Sequence, residues 1–395
     1  MFSTRVPADL APNRLTLALA ATRAQGRPII DLTESNPTRA GFEYPRDFLR
    51  RLADPCALTY APAPFGSPDA RAAVARDYGR RGIRVEPERI ALTASTSEAY
   101  GFLFKLLADA GDEVLVPRPS YPLFDHLARL DLVTPRTYDL DGDDGWRIDF
   151  DSIERALTLR TRAILIVSPN NPTGSFVKVG EMEKLAELCA AHDMALIADE
   201  VFADYELTPG ARTGAGCVLD RHDVLAFSLG GLSKSVGLPQ AKLAWIAMAG
   251  PDRVVAPALD RLELVCDTYL SVSTPVQVAV PELLERGAVV RDAIARRVAA
   301  NYRCLCERAA SAPACRVLPS EGGWYAVLRV PSLESEEALV VDLLQHEGVL
   351  AHPGYFFDLP RESYLIVSLL VSHQQFAEGI ERVLRRVGRL VGGHD

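Results

Sequence analysis

The segment that decides the fold runs from residue 163 to residue 200 and reads AILIVSPNNPTGSFVKVGEMEKLAELCAAHDMALIADE. It opens with a short apolar run at residues 163–167 and closes with another at residues 195–198. Between them, residues 180–192 place apolar side chains on one face of a helix: Met182, Leu185, Leu188 and Cys189. A strand, a helix and a second strand in this order predict two parallel strands joined by a crossover helix.

The same alternation continues on both sides of this segment. Further short apolar runs are predicted strands, at residues 90–93, 113–116, 224–227 and 243–248. They are continuous rather than alternating, which is typical of a sheet covered by helices on both faces. The sequence therefore predicts an α/β fold with a doubly wound, mostly parallel sheet.

The pattern changes beyond about residue 280. A long helix rich in arginine and alanine, near residues 289–311, leads to predicted strands at 325–330 and 364–370. We predict a large sheet domain at residues 46–280 and a smaller α+β domain at 281–395. Residues 1–45 are expected to form an N-terminal segment that packs with the small domain.

The amino-acid composition disfavours several classes of protein. The 395 residues carry a formal net charge of −9, which disfavours nucleic acid and anionic membranes as partners. The seven cysteines show no Cys-x-x-Cys spacing, which favours a reduced, cytoplasmic protein. No apolar run is long enough to cross a bilayer, and the seven histidines show no metal-ligand spacing.

Polar segments follow the predicted strands, and in open α/β sheets ligands bind beyond the carboxyl ends of the strands. Residues 94–98, with the sequence ASTSE, open a helix after the first of these strands. Ser95 with Glu98 fits a capping box, and a helix start offers free N–H groups to a phosphate. The simpler alternative is a capped helix without a ligand.

Three later segments carry further candidates. Tyr121, between prolines in residues 117–122, is suited to lying flat against an aromatic ring, or it is a core tyrosine. Asn171, in the turn at residues 168–174, could donate to a phenolic oxygen, or it only shapes the turn. Asp199 ends a predicted buried strand and needs a cationic or hydrogen-bonded partner. A pyridinium would supply that partner, and so would an ordinary salt bridge or helix cap.

Lys234 follows the next strand, in a stretch of small residues that reads GGLSKSVGLPQAK from residue 230 to residue 242. Lysine forms Schiff bases with carbonyl compounds, and pyridoxal phosphate is the cofactor most often held in this way. Taken alone, a lysine on such a loop could equally be a solvated side chain.

In this order, the segments resemble those of the class I/II aminotransferases, which are fold-type I pyridoxal-phosphate enzymes. The resemblance extends from about residue 30 to the C-terminal helix. It implies an enzyme that moves an amino group from an amino acid to a 2-oxo acid by a ping-pong mechanism. Lys234 would hold pyridoxal 5′-phosphate as a Schiff base and then act as the base, and the protein would be a homodimer.

The resemblance also implies roles for the other candidates. Asp199 would pair with the pyridine nitrogen, Asn171 with the ring hydroxyl oxygen, and Tyr121 would stack on the ring. Tyr60 would reach the phosphate bound by the neighbouring subunit. The phosphate would be held within one subunit by a further set of residues: Ser95, Thr96, Ser97, Ser233 and Lys242.

Several positions depart from the family pattern. Lys242 replaces the usual arginine, which keeps the charge but loses the bidentate fork. Gly231 stands where a phosphate-binding serine is common. Phe202, in the cofactor site by likeness, replaces a tyrosine that donates to the ring oxygen. One donor fewer predicts a higher pKa for the protonated Schiff base.

The largest departure concerns the substrate carboxylate. The family's arginine for this group would fall at residue 366, where the sequence has Ile366, and neither lysine nor arginine occurs between Arg361 and Arg382. We expect Arg39 or, as second choice, Arg361 to supply the cation, although Arg39 also fits a surface turn. Tyr355 is expected to line the mouth of the site, or to pack in a loop. Asn171 is a further candidate for contact with substrate.

Other functions stay open at this point. An enzyme of the same fold could instead eliminate, replace, decarboxylate or cyclise an amino-acid-derived substrate, and the loss of the usual arginine favours that alternative. The aminotransferase-like sensor domain of a transcription regulator would need a DNA-binding module, and only about 30 residues precede the core. A nicotinamide-dependent enzyme lacks support, since no Gly-x-Gly-x-x-Gly follows a strand.

Overall fold

A computed structural model describes residues 2–142, 145–270, 272–360 and 363–392. The strands are β1 (Ile30–Asp31), β2 (Ile90–Thr93), β3 (Glu113–Arg118), β4 (Thr134–Asp141), β5 (Arg147–Ile148), β6 (Thr161–Val167), β7 (Ala195–Asp199), β8 (Ala226–Gly231), β9 (Ala244–Ala249), β10 (Arg316–Val317), β11 (Tyr325–Arg329), β12 (Val349–Leu350), β13 (His352–Pro353) and β14 (Tyr364–Ser368). The α-helices are α1 (Arg14–Ala24), α2 (Pro68–Arg80), α3 (Thr96–Leu107), α4 (Leu123–Leu130), α5 (Phe150–Ala156), α6 (Val179–Ala191), α7 (Leu232–Ser235), α8 (Asp252–Tyr269), α9 (Thr274–Arg286), α10 (Ala288–Ala310), α11 (Glu336–Asp342) and α12 (His373–Gly392).

The large sheet has the strand order β2-β9-β8-β7-β6-β3-β4-β5. Strands β8, β7, β6, β3 and β4 are parallel to their neighbours in that run, whereas β9 is antiparallel to both β2 and β8. Strand β2 therefore points in the same direction as β8. The prediction of a doubly wound, mostly parallel sheet is confirmed.

Both faces of this sheet are covered. Along β7, Leu196 and Ala198 belong to one buried cluster, whereas Ala195 and Ile197 belong to the cluster on the other face. Burying an aliphatic side chain contributes about 1.5–3 kcal/mol relative to leaving it exposed. The continuous apolar runs thus reflect a strand that has no solvent face.

The sequence analysis missed two strands of this sheet, β4 and the two-residue β5. Strand β4 carries charged and polar residues, and much of it is exposed because only the short β5 lies beyond it. The predicted strand at 224–227 also lies two residues later, since β8 begins at Ala226. Edge strands lack the apolar run that identifies central ones.

The C-terminal residues form a separate antiparallel sheet with the order β10-β11-β14-β13. The N-terminal segment contacts this region, because β1 pairs in parallel with β12 and Ser368 Oγ donates to the carbonyl oxygen of Glu34 at 2.6 Å. The predicted boundary at residues 280 and 281 falls inside α9. The limits of the three units remain a prediction.

Across the described ranges, helices that combine the length and the apolarity needed to span a bilayer are absent.

The direction of the strands positions the site. Because β2, β3, β6, β7 and β8 run the same way, their carboxyl ends meet at one edge of the large sheet. The loop after β3 also reaches the C-terminal region, since the Ser120 N–H donates to the carbonyl oxygen of Phe357 at 3.0 Å. The candidate residues after these strands therefore lie along one edge of the large sheet.

Candidate active site

Lys234 lies in α7, the single helical turn that follows β8. Its Nζ atom is 4.8 Å from the centre of the Trp324 ring and 5.5 Å from that of Phe202. Burial lowers the pKa of Lys234 to about 8, against an opposing effect of the Asp199 charge. Near neutral pH, a larger fraction of this amine is therefore unprotonated, and able to act as a nucleophile, than for an ordinary lysine.

Asp199 is the last residue of β7 and is buried. Tyr100 Oη donates to its Oδ2 at 2.8 Å, and the Val201 N–H donates to its Oδ1 at 3.1 Å. Burial raises the pKa of Asp199, while the two hydrogen bonds and Lys234 oppose that rise. The carboxylate is thus held in a fixed position where a cationic partner would be favourable.

The turn at residues 168–174 is rigid. Asn170 Oδ1 accepts from Thr173 Oγ1 at 3.0 Å, and the Asn170 N–H donates to the Ser175 carbonyl oxygen at 2.9 Å. Asn170 Nδ2 donates to the Pro119 carbonyl oxygen at 3.4 Å, which joins this turn to the loop after β3. Asn171 is only 8% exposed, and its Oδ1 has no hydrogen-bond partner among the described residues.

Ser95 caps the N-terminus of α3, since its Oγ accepts from the Glu98 N–H at 3.1 Å. The predicted capping box is wrong in one bond, because the Glu98 carboxylate accepts from the Ala94 N–H at 2.6 Å and not from Ser95. Thr96 is half-buried and Ser97 is exposed at the first turn. The start of α3 therefore presents polar groups and free N–H groups at the edge of the sheet where Asp199 lies.

Tyr121 is not a core residue. It is 39% exposed, and its ring packs edge-on against Phe124 with a centroid distance of 6.0 Å. Burial of the rest of the side chain raises its pKa, and the Asp199 carboxylate lies close enough to add to that rise. Tyr121 thus lies near Asp199 at this edge of the sheet. Ser120 Oγ beside it is buried and unpartnered within the described chain.

Other predicted cofactor residues lie along the same edge. Ser233 is half-buried in the turn that carries Lys234, whereas Lys242 is exposed before β9 with a φ of 52°. Phe202 is buried and contacts Trp324 edge to face at 5.3 Å. Tyr60 is 72% exposed in the loop before α2.

The predicted substrate residues are less clearly grouped. The Arg39 side chain is 74% exposed, and its Nε lies 3.5 Å from Glu34 Oε2. Tyr355 is exposed and packs edge-on against Phe356 at 4.9 Å. Arg361 lies outside the described residues. Ile366 is fully buried in the middle of β14, consistent with a packing role.

Sequence reasoning missed three aromatic residues of this site. Tyr100 holds Asp199, Trp324 lies under Lys234, and Tyr205 Oη donates to the Lys234 carbonyl oxygen. Tyr100 lies four residues after Thr96 on α3, so the helical period alone would place both on one face. Trp324 offers no local indication, because it reaches Lys234 from the start of β11.

Comparison with known proteins agrees with this geometry. The family model for aminotransferase class I and II matches residues 28–383. The chain is 28% identical over 375 residues to an alanine aminotransferase of Mycobacterium bovis, covering 92% of this chain and 86% of that protein. It is 27% identical over 381 residues to the glutamate-pyruvate aminotransferase AlaA of Escherichia coli, covering 94% and 92%.

Solved structures show the same fold. An alanine aminotransferase from Pyrococcus furiosus superposes with a TM-score of 0.86 at 22% identity, covering 98% of this chain and 99% of that one. A mutant of the Thermus thermophilus aspartate aminotransferase gives a TM-score of 0.82 at 25% identity, with the same coverage. The relatives named alanine aminotransferase and glutamate-pyruvate aminotransferase do not favour elimination, decarboxylation or cyclisation as the main reaction. The chain belongs to the aminotransferase class I and II family and is an aminotransferase that transfers an amino group.

Proposed function

We propose that the enzyme binds pyridoxal 5′-phosphate through Lys234 and moves an amino group from an amino acid to a 2-oxo acid in a ping-pong reaction. The observation that carries this proposal is the Lys234 amine, whose pKa is lowered to about 8 by burial. It lies where the parallel strands end, close enough to Asp199 for the two charges to interact. An amine of this kind attacks an aldehyde without a separate base.

The residues around Lys234 fit the cofactor. Asn171 Oδ1 is buried and has no hydrogen-bond partner among the described residues, which supports a bound polar group at this carboxamide. A ring hydroxyl would donate to Oδ1, and an ionised ring oxygen would accept from Nδ2. Asp199 would hold a protonated pyridine nitrogen, and such a cation would offset the burial that raises the pKa of this carboxyl. The half-exposed ring of Tyr121 offers a face for stacking.

The phosphate would lie at the start of α3. Ser95, Thr96 and Ser97 present hydroxyl groups there, next to N–H groups that no carbonyl within the helix can satisfy. Ser233, beside Lys234, and Lys242, which adds a positive charge, complete the proposed set.

Pyridoxal phosphate, when bound, supplies an aldehyde for amino groups and a conjugated ring that withdraws electrons from the substrate α-carbon. The protein supplies orientation and charge. Lys234 Nζ would take the proton from the α-carbon, for which a pKa near the working pH is favourable. Asp199 would keep the ring nitrogen protonated, and Asn171 would hold the ring oxygen.

The test is chemical trapping of the lysine. Protein incubated with pyridoxal phosphate is reduced with borohydride and digested, and the modified peptide is identified by mass spectrometry. We expect a pyridoxyl group on Lys234 and none after Lys234→Arg. Lys184→Arg is the matched control, because Lys184 is an exposed lysine on α6 outside the proposed site and should leave the adduct unchanged. A colourless protein without an adduct on Lys234 would refute the proposal.

The substrates are proposed from the relatives. The bacterial relatives are named alanine aminotransferase and glutamate-pyruvate aminotransferase, so we propose small amino acids such as alanine and glutamate as donors, with pyruvate or 2-oxoglutarate as acceptors. Single-turnover absorbance with each donor distinguishes amino transfer from the other reactions of this fold. Amino transfer converts the cofactor to its pyridoxamine form, whereas a lyase leaves the original spectrum.

We also propose a homodimer in which Tyr60 crosses the interface to the partner's phosphate site. Leu58 and Tyr60 are 90% and 72% exposed, and Tyr60 lines a surface pocket with the exposed Leu270. An exposed apolar patch of this kind is typical of an interface. Light scattering should give twice the monomer mass of 43.1 kDa, and Tyr60→Phe should weaken cofactor binding without dissociating the dimer.

The proposed location is the cytoplasm. All seven cysteines are free thiols: three are buried, three are half-buried and Cys56 is exposed, which supports a reducing compartment. Fractionation of cells that express a tagged protein would test this.

A further inference from the structure

We propose that Tyr205 is a positioning residue for Lys234, which it holds through the main chain rather than through the reactive amine. Tyr205 lies in the segment after β7 and is completely buried. Its Oη donates a hydrogen bond to the carbonyl oxygen of Lys234. The inference rests on the proposed role of Lys234.

The Lys234 carbonyl oxygen needs a partner from outside α7 because this helix is very short. A helix of four residues, Leu232–Ser235, is too short to satisfy its own carbonyl groups, which normally accept from N–H groups four residues later. The Leu232 carbonyl oxygen accepts from the Val236 and Leu238 N–H groups at 3.4 Å and 2.9 Å. The Lys234 carbonyl oxygen accepts from Tyr205 instead. The tyrosine therefore fixes the peptide from which the reactive side chain extends.

Tyr205 is itself held on several sides. Its ring packs against Trp324 at a centroid distance of 5.1 Å. Its carbonyl oxygen accepts from the Gly323 N–H at 2.7 Å, and its own N–H donates to the Phe202 carbonyl oxygen at 2.9 Å. Trp324 in turn lies under Lys234 Nζ at 4.8 Å. One residue thus fixes the lysine main chain and supports the ring that contacts the lysine amine.

The neighbouring residue anchors the same segment to the helices. Asp204 forms an ion pair with Arg80 of α2, with 2.5 Å between Oδ1 and the guanidinium nitrogen. Arg80 also pairs with Asp77 at 3.3 Å, and Asp77 lies 3.5 Å from the buried Arg291 of α10. Tyr205 therefore has little freedom to follow a displaced lysine. A rigid support of this kind is what an exact placement of a reacting group requires.

The test is Tyr205→Phe, which removes the hydroxyl and keeps the ring against Trp324. We expect capture of pyridoxal phosphate by the cofactor-free protein to slow by about tenfold. The pH midpoint of the bound cofactor's visible absorbance should shift by about half a unit. The turnover number should fall while the donor KM changes less than threefold. Borohydride trapping should still modify Lys234.

The matched control is Tyr138→Phe. Tyr138 is equally buried, and its Oη donates to the Leu165 carbonyl oxygen at 2.9 Å, so it loses the same kind of bond elsewhere in the sheet. Both variants should lose a similar amount of thermal stability, and only Tyr205→Phe should change the capture rate and the absorbance midpoint.

The possible results test the positioning role of Tyr205 separately from the proposed role of Lys234. If both variants keep the wild-type capture rate and midpoint, Tyr205 has only a structural role and the inference is wrong. An equal change in both variants would point to general loosening and would also overturn it. A wild-type protein that captures no pyridoxal phosphate would refute the role of Lys234 and, with it, this inference.

Discussion

Tyr100 Oη donates a 2.8 Å hydrogen bond to Oδ2 of Asp199, and both side chains are buried. The bond lowers the pKa of Asp199 against the burial that raises it. It thereby favours the ionised carboxylate that would pair with the cofactor ring. A tyrosine on α3 thus helps to keep the carboxylate at the end of β7 ionised.

Tyr100→Phe should weaken pyridoxal phosphate binding by about ten- to a hundredfold, because a hydrogen bond to a charged group contributes about 1.5–3 kcal/mol. Absorbance titration of the cofactor-free protein gives the dissociation constant. Tyr78→Phe is the control, since Tyr78 is also buried but bonds to Ser228 at 2.9 Å. A dissociation constant equal to that of the wild type would contradict the role assigned to Tyr100.

Phe202→Tyr should lower the pH midpoint of the bound cofactor's visible absorbance. A hydroxyl at this position would add a donor near the ring oxygen of the cofactor. That oxygen would then hold the proton of the Lys234 Schiff base less firmly. Phe150→Tyr is the control, because Phe150 also lies under a lysine amine, at 4.1 Å from Lys184 Nζ, but at a different place. An unchanged midpoint after Phe202→Tyr would reject the prediction.

Lys234→Met should stabilise the cofactor-free protein near pH 7. The pKa of Lys234 is about 8 in the folded chain and 10.5 when unperturbed, so the unfolded chain binds more protons between these values. Stability of the wild type therefore rises with pH across that window. Lys234→Met lacks this cost, which is at most about 3 kcal/mol of the free energy of unfolding. Its stability advantage over the wild type should therefore shrink above pH 8.

Thermal melts between pH 6.5 and 10 check this, with Lys184→Met as the exposed control. A stability difference between Lys234→Met and the wild type that stays constant over this range would be inconsistent with a buried, titrating amine.

Arg81→Met should destabilise the protein by about 3 kcal/mol, because it leaves the largely buried Glu200 carboxylate without its main counter-charge. Burial raises the pKa of Glu200, and the Arg81 charge is the largest effect that opposes it. Chemical unfolding measures the loss. Arg129→Met, which breaks an exposed pair with Asp125, should cost less than about 1 kcal/mol. Equal losses in the two variants would refute the proposed difference.

Arg39→Ala should raise the donor KM by about tenfold if Arg39 holds the substrate carboxylate. Its guanidinium lies near Glu34, so Glu34→Gln should free it and lower the same constant. Steady-state kinetics with a carboxylate-bearing donor measure both effects, and Arg46→Ala is the exposed control. An unaffected KM after Arg39→Ala would discard this assignment.

Local sequence was sufficient for the central strands and for the residues that follow them. Lys234, Asp199 and Asn171 each follow a predicted strand, and parallel strands bring their carboxyl ends together without further information. It was insufficient for β4, whose exposed side chains lack an apolar run, and for the second bond of the capping box. The hydrogen bond that the Ala94 N–H donates to Glu98 depends on the path of the chain before the helix.

The amino-acid sequence by itself determined the alternation of buried strands and amphipathic helices, and with it the edge of the sheet where a site forms. These properties depend on the period of apolar residues, which is local. Only the tertiary structure decided the environment of the reactive lysine. Trp324 reaches Lys234 from 90 positions away in the sequence, and Tyr205 caps its carbonyl from a different loop. Desolvation depends on which distant side chains exclude water, so the lowered pKa of Lys234 appears only once the chain is folded.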